Sequence, residues 1–560
     1  MRWLFKTNFR SFYLLNATQF LGALNDNIFK LLVIYLLINV KGAAAANTIL
    51  SLAGAIFVIP FLVFSSGAGI LADRISKRTI IVYTKIFELG IMVFGLVAVL
   101  LKWEIGAYTA LFLMAAQSAL FGPSKYGIIP ELVDPKMVSK ANGSMASFTY
   151  LAIILGTFLA SFIVDITNKN FAIESLFCIF IAIIGLLTSL GITKTEPQNS
   201  PKKINPIFIW EIYQTLKFSW KVPHLLTAML GSSFFLFIGA FAQLNIIPFA
   251  MQSLDLSEVG GGYLFLATAL GIAIGALIAG QLSKERVEPG LSCISGFFIA
   301  FFLFGLYFCA SSLWLTILWL TLLGMVGGTF LIPFDSFIQV NSPDEKRGQV
   351  IAATNFLSFL GVLLAAFALY LFSEELGLSA SSGFFIVGWI TLFVSLVMAG
   401  RLSSFLFPFL GRKVLKRIRK LHLETPPPAS PAIYILQSRS NFDPLLIFSC
   451  ITQLKLVIPT KKTKLISFIN RWVDSLFLVP EVPDTETQNE IQQLLENGNS
   501  ICFFIKPGIS NDIIRETYTQ MFSKSRFSLY EVHGTKERIS KKLFFIPWTS
   551  KIISMRFTAR

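Results

Sequence analysis

Near the N-terminus, four polar residues interrupt an apolar stretch: Asn25, Asp26, Asn27 and Lys30, in L-G-A-L-N-D-N-I-F-K. Asp26 and Lys30 are four apart, so on a helix they share a face and can pair. A carboxylate inside an apolar span is costly, and the usual reason to keep one is a path for a substrate or ion. An internal pair that only orients helices is the alternative. Lys85 and Glu88, three apart in a later apolar run, offer the same chemistry. Here the alternative is that Lys85 snorkels to a nearby membrane face. A third group is G-P-S-K-Y-G-I-I-P-E-L, residues 122–132. Gly122 and Pro123 are expected to break the helix. Lys125 supplies a charge for an anion, Tyr126 a hydroxyl and Glu131 a carboxylate.

The elements that position these residues must be membrane spans. Of 560 residues, 54% are hydrophobic, 14% are charged and 56 are Phe, more apolar surface than a soluble chain can hide. Runs long enough to cross a hydrocarbon core lie near 12–40, 46–70, 79–101, 107–125, 141–165, 172–193, 225–250, 260–282, 289–311, 313–338, 349–373 and 382–406. Cations cluster at the N-terminus (Arg2, Lys6, Arg10) and after every even-numbered span, so both termini are expected to be cytoplasmic in an integral inner-membrane protein. No cleavable signal is visible in the N-terminal stretch. The five Cys (178, 293, 309, 450, 502) form no CxxC pair, and neither metal nor cofactor is expected.

A polar stretch, 194–223, splits the domain 1–406 into halves 1–193 and 224–406. The halves echo each other: I-I-P-E-L-V-D-P-K ends span 4 and F-I-Q-V-N-S-P-D-E-K ends span 10, as in a parallel repeat. Between spans 2 and 3 stands G-I-L-A-D-R-I-S-K-R, residues 69–78. Gly69 permits close helix approach. Asp73 can accept from the exposed N–H groups of a neighbouring helix end. Arg74, Lys77 and Arg78 hold the loop on the cytoplasmic side.

That ordered cluster resembles the loop signature of the major facilitator superfamily. A narrower resemblance rests on F-L-G-A-L-N-D-N-I-F-K, F-G-P-S-K-Y-G-I-I-P-E-L, S-K-A-N-G and G-G-T-F-L-I-P-F, spread through residues 12–406. Together these are similar to the bacterial lysophospholipid transporter family. The resemblance implies a facilitator fold of twelve helices and a flippase that brings lysophosphatidylethanolamine-type lipids to the cytoplasmic leaflet for re-acylation. It carries Asp26, Asn27, Lys125, Tyr126 and Glu131 over as transport residues. A lysolipid has a charged headgroup and one chain, so its path needs buried polar groups beside an apolar wall, which Phe can supply.

From Phe407 onward 23 Lys and Arg face 12 Asp and Glu, an excess suited to anionic lipid headgroups. No nucleic-acid partner is expected. Residues 407–431 combine a basic helix, G-R-K-V-L-K-R-I-R-K, with a Pro-rich linker. Residues 432–560 alternate short apolar runs with helical ones and are expected to form a small α/β domain on the cytoplasmic side. This tail resembles a glycerophospholipid acyltransferase, whose first block reads N-H-x-S-x-x-D-P. Here Q-S-R-S-N-F-D-P, 437–444, keeps Asp443 but puts Ser438 in place of the catalytic His. A Ser hydroxyl is no base at neutral pH. Of the phosphate-gripping block F-P-E-G-T-R, I-K-P-G-I-S keeps Gly508 in register. The expectation is a lysolipid transporter with a catalytically inert tail, served by a separate acyltransferase or acyl-carrier-protein synthetase. A bifunctional transporter–acyltransferase and a facilitator for a small polar solute are the alternatives.

Overall fold

The computed structural model of the chain describes residues 9–411 apart from 43–44, 203–206, 284–285 and 309–311. Beyond these it describes 421–423, 431–437, 454–460, 473–480, 485–497, 499–505, 529–537 and 552–559. Among the described residues, twelve helices are long and apolar enough to cross a membrane. They are α1 Phe9–Lys41, α2 Ala46–Arg74, α3 Lys77–Leu100, α4 Glu104–Gly127, α5 Val138–Ile166 and α6 Phe171–Leu190, then α7 Leu225–Leu254, α8 Glu258–Ser283, α9 Pro289–Phe308, α10 Leu313–Asn341, α11 Arg347–Tyr370 and α12 Ala380–Arg401. In lipid no water satisfies backbone groups, so long continuous helices are the form these runs must take.

Three local expectations are corrected. Gly122 and Pro123 do not break α4, which continues to Gly127 before a separate turn of helix, Ile129–Leu132. Proline is tolerated inside a span whose neighbours accommodate the freed carbonyl. The polar stretch 194–223 contains a helix, Phe208–Lys221, with Ile212, Thr215 and Ser219 buried and Trp210, Tyr213 and Trp220 exposed. Where one run was expected at 382–406, α12 ends at Arg401 and a short helix, Ser403–Leu410, follows.

The chain divides into two units: residues 1–287 with 295–392, and 288–294 with 393–560. In the first, close backbone approach depends on small residues where α8 meets α10. A side chain at Gly275 would collide with the backbone of Met325, and one at Gly324 with the carbonyl of Thr268. Lipid tails are as apolar as leucine, so such packing, rather than hydrophobic exclusion, holds helices together.

In the second unit seven strands form one sheet in the order β1-β7-β6-β2-β5-β3-β4. These are β1 Leu421–Leu423, β2 Ile433–Gln437, β3 Leu454–Thr460, β4 Leu476–Pro480, β5 Ser500–Ile505, β6 Leu529–Glu537 and β7 Ile552–Ala559. All pairings are parallel except β6 with β7. Helix Thr485–Glu496 adds Ile491 and Leu495 to a core containing Ile433, Ile435, Val457, Val479, Ile501 and Phe503. The amide of Ser475 donates to Ser403 Oγ at 2.9 Å. The basic helix at 412–420, and Ser438, Asp443 and Gly508, lie outside the described residues.

The α8–α10 joint yields a direct test. Gly275→Leu is expected to abolish most of the monodisperse protein recovered in mild detergent, measured by size-exclusion chromatography. Gly239→Leu, at a position with open space around it, is the control and should be recovered at the parent level.

Candidate functional site

The densest set of buried charges lies where α1, α3 and α4 converge. Lys85 Nζ and Glu88 Oε2 are 2.5 Å apart, and both side chains are 1% exposed. Glu88 Oε1 accepts from Asn25 Nδ2 at 3.0 Å, which ties the α3 pair to α1. The amine lies over Gly22, where an added Cβ would come within 2.5 Å of it, and 5.3 Å from the Phe121 ring centroid. Lys85 therefore does not snorkel to a membrane face. Burying an ion pair is tolerable only when the remaining lone pairs are also met, and Asn25 meets one of them.

Asp26 does not pair with Lys30. Its Oδ2 accepts from Ser118 Oγ of α4 at 2.7 Å, while Oδ1 is buried without a partner. Lys30, one turn on, sits 5.0 Å over the Phe57 ring of α2. The shared helix face is real, but each side chain meets a different neighbouring helix. Asn27 turns back to the carbonyl of Ala23 at 2.7 Å. Lys125 makes no hydrogen bond or ion pair among the described residues. Its amine stands over the rings of Phe121 and Tyr126, 5.4 and 5.0 Å from their centroids.

These residues line a cavity with two lobes. The first, about 310 Å³, is bordered by Asp26, Asn27, Lys85, Glu88, Ser118 and Lys125 and by the rings of Phe57, Phe61, Phe121 and Phe359. The second, about 240 Å³, shares Tyr126, Thr149, Ile153, Asn355 and Phe359 with the first and extends to Tyr150, Ser232 and Asp335. Asp335 accepts from Ser232 Oγ at 2.7 Å. Asn25, Lys30 and Glu131 line neither lobe. Glu131 instead accepts from the buried amine of Lys77 at 2.6 Å, holding the turn after α4 against α3.

The halves meet below this cavity. Asp73 is fully buried. Its Oδ1 accepts from the amide of Gly348 at 2.6 Å, and its Oδ2 from the amide and side chain of Gln349, each at 3.0 Å. Those are orphan N–H groups of the first turn of α11, where a carboxylate also meets the positive end of the helix dipole. Gly69, one turn earlier on α2, faces the Gly348 carbonyl and Ala352, and a Cβ there would collide with both. Arg78 donates to the carbonyls of Leu190 and Ile192 at 2.9 and 3.2 Å, closing the end of α6. Of the three cations assigned to the loop surface, Arg74 alone is exposed. A second joint between the halves is the reciprocal amide pair of Asn142 and Gln339, 3.0 Å in each direction.

Asp335 escaped the reading of the sequence although it directly follows the quoted block G-G-T-F-L-I-P-F. The signal was present. Lys125 stands two residues after Pro123 in α4, and Asp335 two residues after Pro333 in α10, so the internal repeat puts opposite charges at matching places.

Residues 15–366 match the family model described as Major Facilitator Superfamily. The chain is 23% identical over 351 residues to a Photorhabdus laumondii protein named lysophospholipid transporter LplT, covering 62% of this chain and 85% of that one. It is 22% identical over 349 residues to a Yersinia pestis protein of the same name, covering 62% and 82%. The crystal structure of the human organic anion transporter MFSD10 (TETRAN) shares the fold, with a TM-score of 0.59 at 14% identity over 70% of this chain and 99% of that one.

Removing one partner from a buried pair leaves an uncompensated charge, which typically costs about 3–5 kcal/mol. Glu88→Leu is accordingly expected to lower the unfolding temperature in detergent steeply. The double variant Lys85→Met with Glu88→Leu should recover most of that loss. A double variant as unstable as the single one would show that packing, not charge, sets the cost.

Proposed function

The chain belongs to the Major Facilitator Superfamily, and we propose that within it this protein moves lysophospholipid of the lysophosphatidylethanolamine type to the cytoplasmic leaflet. The observation that carries this reading is the lining of the first lobe, which combines charged and amide groups with four Phe rings. A small polar solute needs no such wall. A headgroup with one acyl chain needs both. Lys125 is the group for the phosphate: it makes no hydrogen bond or ion pair among the described residues and, as a compact point charge, suits a mobile head. Asp26 and Asn27 border the same lobe and hydrate or turn the headgroup. The names of the two curated relatives support the same substrate class.

Asp73 and Gly69 serve as the conformational joint in this scheme, since they link α2 of one half to α11 of the other. The basic loops support a cytoplasmic position at the inner membrane for this joint and both termini.

For residues 432–560 we propose an acyltransferase-like domain without catalysis of its own. β2 and β5 are parallel neighbours with Gln437 opposite Ile505. Both blocks that resemble the acyltransferase start at those two strand ends, and ligands of parallel sheets collect outside the carboxyl ends of strands. Ser438 nevertheless supplies no base. Re-acylation then falls to a separate acyltransferase or acyl-carrier-protein synthetase. The anionic membrane surface is the tail's other partner, through its excess of cations.

Proteoliposomes containing the full chain should take up radiolabelled lysophosphatidylethanolamine. Lys125→Ala should reduce that uptake at least tenfold, and Lys125→Arg should restore part of it. Undiminished uptake by Lys125→Ala would remove Lys125 from the path. A parent chain that moves no lysolipid would refute the substrate assignment.

The full chain, given lysophosphatidylethanolamine and an acyl donor, is expected to release no carrier above background. General acid–base catalysis is worth on the order of 10²–10⁴-fold, and two blocks have lost their chemistry. Robust turnover would favour the bifunctional reading.

A further inference from the structure

Among the residues lining the second lobe, Asp335 is the one Asp, Glu, Lys, Arg or His. Ser232 gives it a hydrogen bond, but no cation among the lining residues balances it. A carboxylate held in a span without a counter-charge is costly to keep, and a cation brought by a ligand removes that cost. Two tyrosines, Tyr126 and Tyr150, line the same lobe. A carboxylate that lines one lobe together with aromatic rings suits an ammonium group, which is drawn by charge and by electron-rich ring faces.

The first lobe is the counterpart. Lys85 and Glu88 neutralise each other there, and Lys125 remains without an ion pair among the described residues. Asp26 is the poorer partner for an amine because Lys85 and Lys125 border the same lobe. Lys125 in one lobe and Asp335 in the other thus stand at repeat-related positions with opposite charge, and Tyr126 belongs to both lobes.

We infer, resting on the lysolipid reading, that Asp335 with Tyr126 and Tyr150 forms a subsite for the ammonium of a zwitterionic head whose phosphate lies at Lys125. Asp335 is then the residue that distinguishes amine-bearing headgroups from uncharged polyol ones. Ser232 aims the carboxylate and is a positioning residue.

The test compares uptake of lysophosphatidylethanolamine and lysophosphatidylglycerol with the same acyl chain into proteoliposomes of the full protein. Asp335→Asn is expected to lower the preference for the ethanolamine lipid at least tenfold, while Lys125→Ala lowers uptake of both. Should Asp335→Asn not reach the membrane, Ser232→Ala is expected to move the preference in the same direction by a smaller factor. A preference within twofold of the parent in Asp335→Asn, or in Ser232→Ala where that stands in, would overturn the subsite. So would an equal loss for both lipids, the signature of a coupling-ion or proton site. A parent inert to both lipids would instead overturn the lysolipid reading itself.

Discussion

The ion pair of Lys85 and Glu88 decides how the first half of the bundle is arranged. In a low-dielectric interior the pair is stable only if its geometry is close and its outer lone pairs are met. Asn25 does the second, which rotates α1 so that Asn25 faces α3. On a helix the next residue then points about 100° away, and Asp26 meets Ser118 of α4. Gly22 must be bare, because the Lys85 amine occupies the space above it. Three helices are fixed by one buried charge pair, and the cavity is the space that this arrangement leaves beside Asp26 and Lys125.

Helix α11 connects that cavity to the joint between the halves. Its first turn is held by Asp73, and two and three turns later Asn355 and Phe359 border both lobes. Phe359 stacks on Phe61 of α2, with centroids 4.1 Å apart, so the same two helices meet at Asp73 and again at the cavity. Within one rigid helix a displacement at Phe359 reaches Gly348, because the intervening backbone bonds are internal to it. Three N–H donors to one carboxylate make the joint strong when aligned, yet hydrogen bonds weaken steeply with angle. A shift of α11 would therefore strain all three of these bonds together.

How much of this was legible in the sequence depended on whether the partner was local. The Lys85–Glu88 pair is three residues apart on one helix, so spacing alone located it. The twelve spans follow from run length. The Asp26–Lys30 pair was equally well spaced but did not form, because Ser118 and Phe57 belong to helices that no local pattern can orient. Pro123 misled for a related reason. A helix breaker in water is tolerated in a span, where neighbouring helices replace the lost bond. Glu131 was placed on the path by its motif, but tertiary structure gave it to Lys77. Asp335 required reading the two halves against each other at the level of single residues, proline to proline, rather than as echoing blocks.

The same distinction separates the two parts of the chain. In the membrane part a buried charge has to be explained by a partner or a ligand, since each one is expensive. Charge alone therefore pointed to Asp26, Lys85, Glu88 and Lys125. In the sheet unit water is available, and side-chain charge carries little information about a site. Strand order carries it instead. β5 lies between β2 and β3, although β2 and β3 are sequential, so the sheet is filled out of chain order and β2 and β5 end side by side. Gln437 and Ile505, opposite each other at those ends, are where the two blocks quoted from the sequence begin.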